Sequence, residues 1–205
     1  MSSDTVDPIP LFRAVALVHP RVACTAEAPL SFSIRPGMTW VVGGDGRGKT
    51  TLLHLIAGNE RPASGRATRA AATLFFADPN DPASRERIAR DWLDEWRPHC
   101  PAWDTERATA LIEAFGLGPH ADKPLFMLST GSRRKVGLVA AAASGATLTL
   151  LDTPFAALDQ PSRQCLRELL DEAASDTHRA WVVADHGAPD GPGNGPSVAR
   201  IDLGD

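Results

Sequence analysis

The stretch Gly43-Gly44-Asp45-Gly46-Arg47-Gly48-Lys49-Thr50 constrains this chain more than any other feature. It fits the pattern G-x-x-x-x-G-K-[S/T] in the context that gives the pattern physical meaning. A short β-rich apolar run, Trp40-Val41-Val42, precedes it, and Thr51 to Ala57 follows as a helix with Leu52, Leu55 and Ile56 on one face. Pro36-Gly37 reads as the turn into the strand and Gly58 as the helix stop. The glycines let backbone N–H groups converge on phosphate oxygens without Cβ atoms in the way, at the positive end of a helix. Lys49 then reaches the β- and γ-phosphates, and the Thr50 hydroxyl ligates Mg²⁺. Residues Gly43, Gly44, Asp45, Gly46, Arg47, Gly48, Lys49, Thr50 and Thr51 form the candidate nucleotide-binding segment.

The rest of the composition narrows the class. A chain of 205 residues with 43% apolar and 22% charged residues is long enough for one sizeable core and argues for one domain with an insertion. A net charge of −4 gives no broad attraction for nucleic acid or anionic lipid, and no apolar run approaches the length of a bilayer span. The opening residues MSSDTVDPIP lack the basic and apolar regions of a secretory signal, so a cytoplasmic chain is expected. Cys24, Cys100 and Cys165 are dispersed, without a CxxC, and read as buried thiols; His99-Cys100 supplies too few ligands for a zinc site.

Nucleotide binding alone does not give a function, because one phosphate cradle serves kinases, GTPases, motors and transporters. A second acidic group is needed for Mg²⁺. Ala146 to Asp152 reads as a buried strand ending in a carboxylate, the place of a Walker B aspartate. Upstream, Met127-Leu128-Ser129-Thr130-Gly131-Ser132-Arg133-Arg134-Lys135 leads into an apolar helix from Val136 to Ala143. Downstream come Ala157-Leu158-Asp159 and then His186, after the strand Trp181-Val182-Val183-Ala184.

The order of these pieces resembles the ATP-binding subunit of ABC transporters. Walker A at Gly43 to Thr50, a signature of LSGGQ type at Leu128 to Ser132, Walker B ending at Asp152, a D-loop at Ala157 to Asp159 and a switch histidine at His186 stand in the family's order. The resemblance implies an α/β fold: a P-loop NTPase core with an N-terminal antiparallel β part and a helical signature subdomain inserted at roughly residues 78–135. It implies ATP and Mg²⁺ as ligands, with Lys49, Asp152 and His186 catalytic and Thr50, Asp152 and Asp78 around the metal. ATP is then clamped between two ATPase subunits, in a homo- or heterodimer, with Ser129 and Gly131 offering donors to the γ-phosphate across the interface. An integral membrane transporter subunit is the further partner, with the chain peripheral on the cytoplasmic face of the inner membrane. A unit of this length is similar to the short exporter type.

Departures from the family's pattern are equally informative. Thr153 stands where the family places a glutamate that polarises the attacking water, and a threonine hydroxyl has no accessible basic form near neutral pH. Asp78, before Pro79, takes the place of the Q-loop glutamine. Asp45 puts a carboxylate in the P-loop, repulsive to a γ-phosphate unless turned outward. Thr130 and Ser132 replace the second glycine and the glutamine of the signature. No N-terminal aromatic offers itself to adenine, and His19 is a poor candidate. Two readings follow: a slow ATPase relying on His186 and Mg²⁺, or a non-hydrolysing regulatory half of an asymmetric pair. A small-molecule kinase would share the P-loop but has no use for the later motifs.

Elsewhere, the alternation in Leu30-Ser31-Phe32-Ser33-Ile34 predicts a half-buried strand. Ile88, Trp92 and Trp96 recur at helical spacing, and Asp104 caps a helix carrying Ala108, Leu111, Ile112 and Phe115 before Gly116. Arg133, Arg134 and Lys135 read as a solvated helix face rather than a nucleic-acid patch. Pro161 opens a helix with Leu166, Leu169, Leu170 and Ala173 inward; Gly187 to Pro196 reads as a loop, and Ser197 to Leu203 as an edge strand.

Overall fold

The computed structural model describes residues 9–78, 81–186 and 198–205. In chain order its main elements are β1 (Phe12–Val18), β2 (Leu30–Ile34), β3 (Gly37–Val42), α1 (Lys49–Ala57), β4 (Ser64–Arg69), β5 (Leu74–Phe75), α2 (Ala89–Trp96), α3 (Thr105–Ala114), α4 (Thr130–Ala143), β6 (Leu148–Asp152), α5 (Gln160–Ala174), β7 (Ala180–Ala184) and β8 (Val198–Asp202). The N-terminal strands make an antiparallel sheet ordered β2-β1-β4, and the rest make a sheet ordered β5-β6-β7-β3-β8 whose pairs are parallel. The predicted Gly187–Pro196 loop and the opening residues 1–8 lie outside the described residues, as do Pro79 and Asn80.

Strand periodicity divides the interior into two layers. On β7, Trp181 and Val183 join the apolar cluster that holds Trp40 of β3, Leu138 of α4 and Leu166 and Leu170 of α5. Ala180, Val182 and Ala184 face the opposite way, into the cluster of Leu52, Leu53 and Ile56 from α1 with Phe12 and Ile34 of the antiparallel sheet. A nine-residue helix such as α1 is too short to persist alone, so its packing holds it. Leu52 and Leu53 are fully buried, and each contributes about 1.5–3 kcal/mol relative to exposure. β8 takes the sheet edge beside β3, as its alternation predicts.

The helical stretch follows the sequence closely. Asp104 caps α3, accepting from the Arg107 amide at 2.8 Å. Ile88 falls one place outside α2, at its N-cap, and is partly exposed, while Trp92 is buried and Trp96 packs on Phe75 at the sheet edge, with ring centroids 4.9 Å apart. Trp92, Leu111 and Phe115 join the same apolar cluster as Leu151 and Val183 of the sheet. The tryptophans therefore serve packing.

Arg133, Arg134 and Lys135 are not the solvated face that their sequence suggests. Arg133 donates to the carbonyls of Leu125 and Leu128, at 3.2 and 2.7 Å, and Arg134 to that of Ala156 at 2.8 Å. Lys135 pairs with Asp159 at 2.7 Å. The bonds of Arg134 and Lys135 tie the start of α4 to the turn before α5, a link between segments that the local sequence pattern does not display. The Lys135 ammonium, with the amide and hydroxyl of Ser162, holds the Asp159 carboxyl well below the usual carboxylate range.

Candidate functional site

Parallel pairing places the C-terminal ends of β6, β7 and β3 side by side, with Asp152 opposite Ala184 and Val41 opposite Ala184 across the two ladders. The P-loop leaves from the end of β3 and runs into α1. Gly48, the N-cap of α1, has φ of 92° and no side-chain cap. It lies so close to the segment after β1 that any Cβ would collide with the Arg21 carbonyl oxygen. The first N–H groups of a helix have no partner inside it, so this uncapped N-terminus, carrying Lys49, Thr50 and Thr51, offers donors to an anion.

Lys49 is only 8% exposed, and its ammonium donates to the Gly43 and Gly44 carbonyls at 2.7 and 2.8 Å. The charge is thus folded back against the loop, in reach of whatever anion the loop holds. Arg47, by contrast, turns away: its Nε donates to the Leu203 carbonyl at 3.0 Å. Gly44 donates its N–H to the Gly204 carbonyl at 2.9 Å, so the tail after β8 braces the first turn of the loop.

Thr50 and Asp152, separated by 102 positions, meet directly, with the hydroxyl 2.6 Å from Oδ2. The other carboxylate oxygen, Asp152 Oδ1, is buried and has no hydrogen-bond partner. Two hard oxygen donors in contact, one with unsatisfied capacity, fit Mg²⁺, which takes few protein ligands and keeps water and phosphate oxygens in its shell. No cluster of three or more His, Cys, Asp or Glu that could hold a metal occurs among the described residues, which leaves this sparser arrangement as the one to consider.

A cavity of about 600 Å³ opens beside this pair, lined by Thr50, Asp78, Asp152, Thr153, Trp92 and Trp96 among others. Asp78 thus shares a wall with both oxygen donors. From α4 the cavity takes Arg134, Gly137 and Leu138, while Ser129 and Gly131 lie at the helix start. Ser129 caps α4, accepting from the Ser132 amide at 3.0 Å, and Gly131 packs so tightly on the D-loop that a Cβ would collide with the Ala157 carbonyl oxygen. Neither Ser129 nor Gly131 lines this cavity, and of the phosphate loop only Thr50 does.

Thr153 lines the cavity with a left-handed backbone, φ 43°, uncommon for a β-branched residue, and its N–H donates to the Ala184 carbonyl at 2.7 Å. No carboxylate therefore extends from this position. Asp45 is turned outward, its side chain 92% exposed, and meets His186, with Oδ1 3.4 Å from Nδ1. Asp185 escaped the sequence reading: its Oδ1 accepts from the His186 amide at 2.8 Å, and its Oδ2 is buried without a partner. An acidic residue directly before His186 was the available signal. His19 is buried, with Nε2 3.2 Å from Glu60, so it is committed to that pair.

No helix among the described residues is long and apolar enough to cross a membrane. The chain is 36% identical over 152 residues to the cytochrome c biogenesis ATP-binding export protein CcmA of Sphingopyxis alaskensis, covering 74% of this chain and 75% of that protein. It is 31% identical over 173 residues to the molybdenum import ATP-binding protein ModC of Brucella abortus, covering 76% of this chain but only 48% of the relative, so it spans about half of that protein's length. Among solved structures, an ABC transporter ATP-binding protein from Pyrococcus furiosus superposes with a TM-score of 0.72 at 18% identity, covering 94% of this chain and 96% of that one. A bacterial Atm1-family ABC exporter with ATP bound superposes with a TM-score of 0.67 at 17% identity, covering 91% of this chain and 37% of the exporter. Both structures share the α/β fold expected from the sequence. Residues 28–156 match the family model described as ABC transporter, and with these relatives the chain belongs to the ABC transporter family, among its ATP-binding proteins.

Proposed function

We propose that this chain binds Mg-ATP at the P-loop and hydrolyses it slowly, to drive or gate transport through a separate membrane subunit. The observation that carries the reading is the 2.6 Å contact between Thr50 and Asp152, which brings the end of the phosphate loop and the end of β6 to one point beside the buried Lys49. Lys49 neutralises the β- and γ-phosphates, and the N-terminus of α1 supplies backbone donors. Thr50 and Asp152 would hold Mg²⁺, with Asp78 on the same cavity wall, and the ion would supply charge neutralisation between the phosphates.

Thr153 gives the low rate its physical basis. General-base catalysis contributes about 10²–10⁴-fold, and its loss leaves positioning and charge stabilisation in place. The same residue supports the second reading, a regulatory subunit that binds ATP without turning it over beside a partner with an intact glutamate. Ser129 and Gly131 do not line the cavity beside Thr50 and Asp152, which suits a site completed by a second ATPase subunit. The curated relatives are named for both import and export, so the property they share is that of an ATP-binding subunit. A membrane partner places the chain on the cytoplasmic face of the inner membrane, and no nucleic acid enters this reading.

Equilibrium binding of Mg-ATP to the wild-type chain and to Lys49→Ala tests the proposal. Saturable binding that Lys49→Ala weakens strongly is the expected result. Equal affinity in the two proteins would overturn the assignment of the loop.

A further inference from the structure

Two cations stand in the phosphate loop, and the structure uses them differently. Lys49 folds back on the Gly43 and Gly44 carbonyls, at 2.7 and 2.8 Å, whereas the Nε of Arg47 donates to the Leu203 carbonyl at 3.0 Å. The Arg47 guanidinium lies against Gly204, where a Cβ would stand 3.1 Å from Nη2. The Gly204 carbonyl in turn accepts from the Gly44 N–H at 2.9 Å, and the Leu203 N–H donates to the Val42 carbonyl at 2.9 Å. From the other side, the Arg47 carbonyl accepts from the Ala23 N–H at 3.0 Å. These bonds close a circuit. Arg47 holds Leu203, the next carbonyl along holds Gly44, and Gly44 with Gly43 holds the Lys49 ammonium.

We infer that Arg47 is a positioning residue for triphosphate binding: through Nε it fastens the phosphate loop to the segment after β8, and so keeps the loop backbone and Lys49 in their binding arrangement without itself touching the nucleotide. This rests on the nucleotide-binding reading above. The loop has reason to need a tether. Arg47 stands between Gly46 and Gly48, whose φ values are 72° and 92°, and glycine gives up more backbone freedom on ordering than any other residue. A Cβ at Gly46 would meet nothing within 4 Å, so packing does not restrain the loop at that point. A side-chain bond that orders the loop in advance removes part of the ordering cost from the binding step. The donor at Nε carries this role, and the positive charge of the guanidinium does not.

Two substitutions separate the donor from the charge. Arg47→Gln places an amide nitrogen as many bonds from Cα as Nε and carries no charge, whereas Arg47→Lys keeps the charge and puts a methylene there. Calorimetry with Mg-ATP should show an affinity about tenfold lower in Arg47→Ala, the scale of one hydrogen bond from a charged donor. Arg47→Gln should regain the larger part of that loss, and Arg47→Lys should stay close to Arg47→Ala. In the nucleotide-free protein, hydrogen exchange at the Gly44 amide should run about tenfold faster in Arg47→Ala than in the wild type, with Arg47→Gln restoring protection. Urea unfolding establishes that each variant is folded under these conditions, and the comparison of Gln with Lys stands even where Ala unfolds. Affinity that Lys restores and Gln does not overturns the inference, since Arg47 would then act on the phosphates by its charge. So does a lowered urea midpoint with affinity and Gly44 exchange unchanged, which would make the bond merely structural. Failure of the underlying reading looks different: Mg-ATP affinity would be indifferent to Lys49→Ala, while Gly44 exchange still followed Arg47.

Discussion

Around Lys49, Thr50 and Asp152 the side chains are held by short bonds from 2.6 to 2.8 Å. Around Thr153, Asp45 and His186 the atoms are exposed or lack a base, and the one polar contact between side chains is 3.4 Å long. On the proposed function, the first region is the one that would bind the phosphates. In the second, which should handle the attacking water, a carboxylate is missing and a weak pair stands nearby. Binding and turnover in such a site can be lost separately, because binding uses fixed charge and backbone donors whereas catalysis needs a base at one particular place.

The sharpest test of the first region is Lys49→Ala. Charge-assisted hydrogen bonds are worth about 1.5–3 kcal/mol each, so removing them should weaken Mg-ATP binding on the order of 100-fold, measured by calorimetry. A loss below threefold would erase the contrast between the regions. Gly131→Ala probes the link between α4 and the D-loop, since its methyl would collide with the Ala157 carbonyl oxygen. Overpacking of this kind costs about 1–3 kcal/mol. Urea denaturation should register that loss, and unchanged stability would show that the D-loop yields freely.

The smallest effect concerns Asp159, which caps α5 through the Ser162 amide at 2.9 Å and pairs with Lys135. Asp159→Ala should cost about 1 kcal/mol. Because the folded carboxyl is held below its ordinary pKa, the stability it adds is complete above about pH 4 and is lost as pH falls towards the lowered folded value. The difference in unfolding free energy between the wild type and Asp159→Asn should therefore shrink on acidification from neutral pH. A difference that grows as pH falls would reverse the sign of the argument.

The P-loop, the strand ending at Asp152 and the caps at Asp104 and Gly58 were legible in the sequence because each depends on neighbours within a few residues. So was the place of β8 at the sheet edge. Arg134 and Lys135 were misread because their partners, Ala156 and Asp159, lie beyond a helix and a strand, and Arg133 because it folds back on the carbonyls of Leu125 and Leu128. The meeting of Asp45 with His186 depends on the register of β3 against β7, which no local pattern encodes. Gly131 looked like a donor to a distant phosphate, while its lack of a side chain is also required by the Ala157 carbonyl.

The contrast between the two regions is tested most directly by steady-state hydrolysis of Mg-ATP by the wild type and by Thr153→Glu, at matched saturation. A carboxylate at this position restores the missing base beside an intact binding region, so kcat should rise by about tenfold or more with little change in affinity. An unchanged kcat in a variant that still binds Mg-ATP would contradict the account and move the defect from Thr153 to the rest of the site.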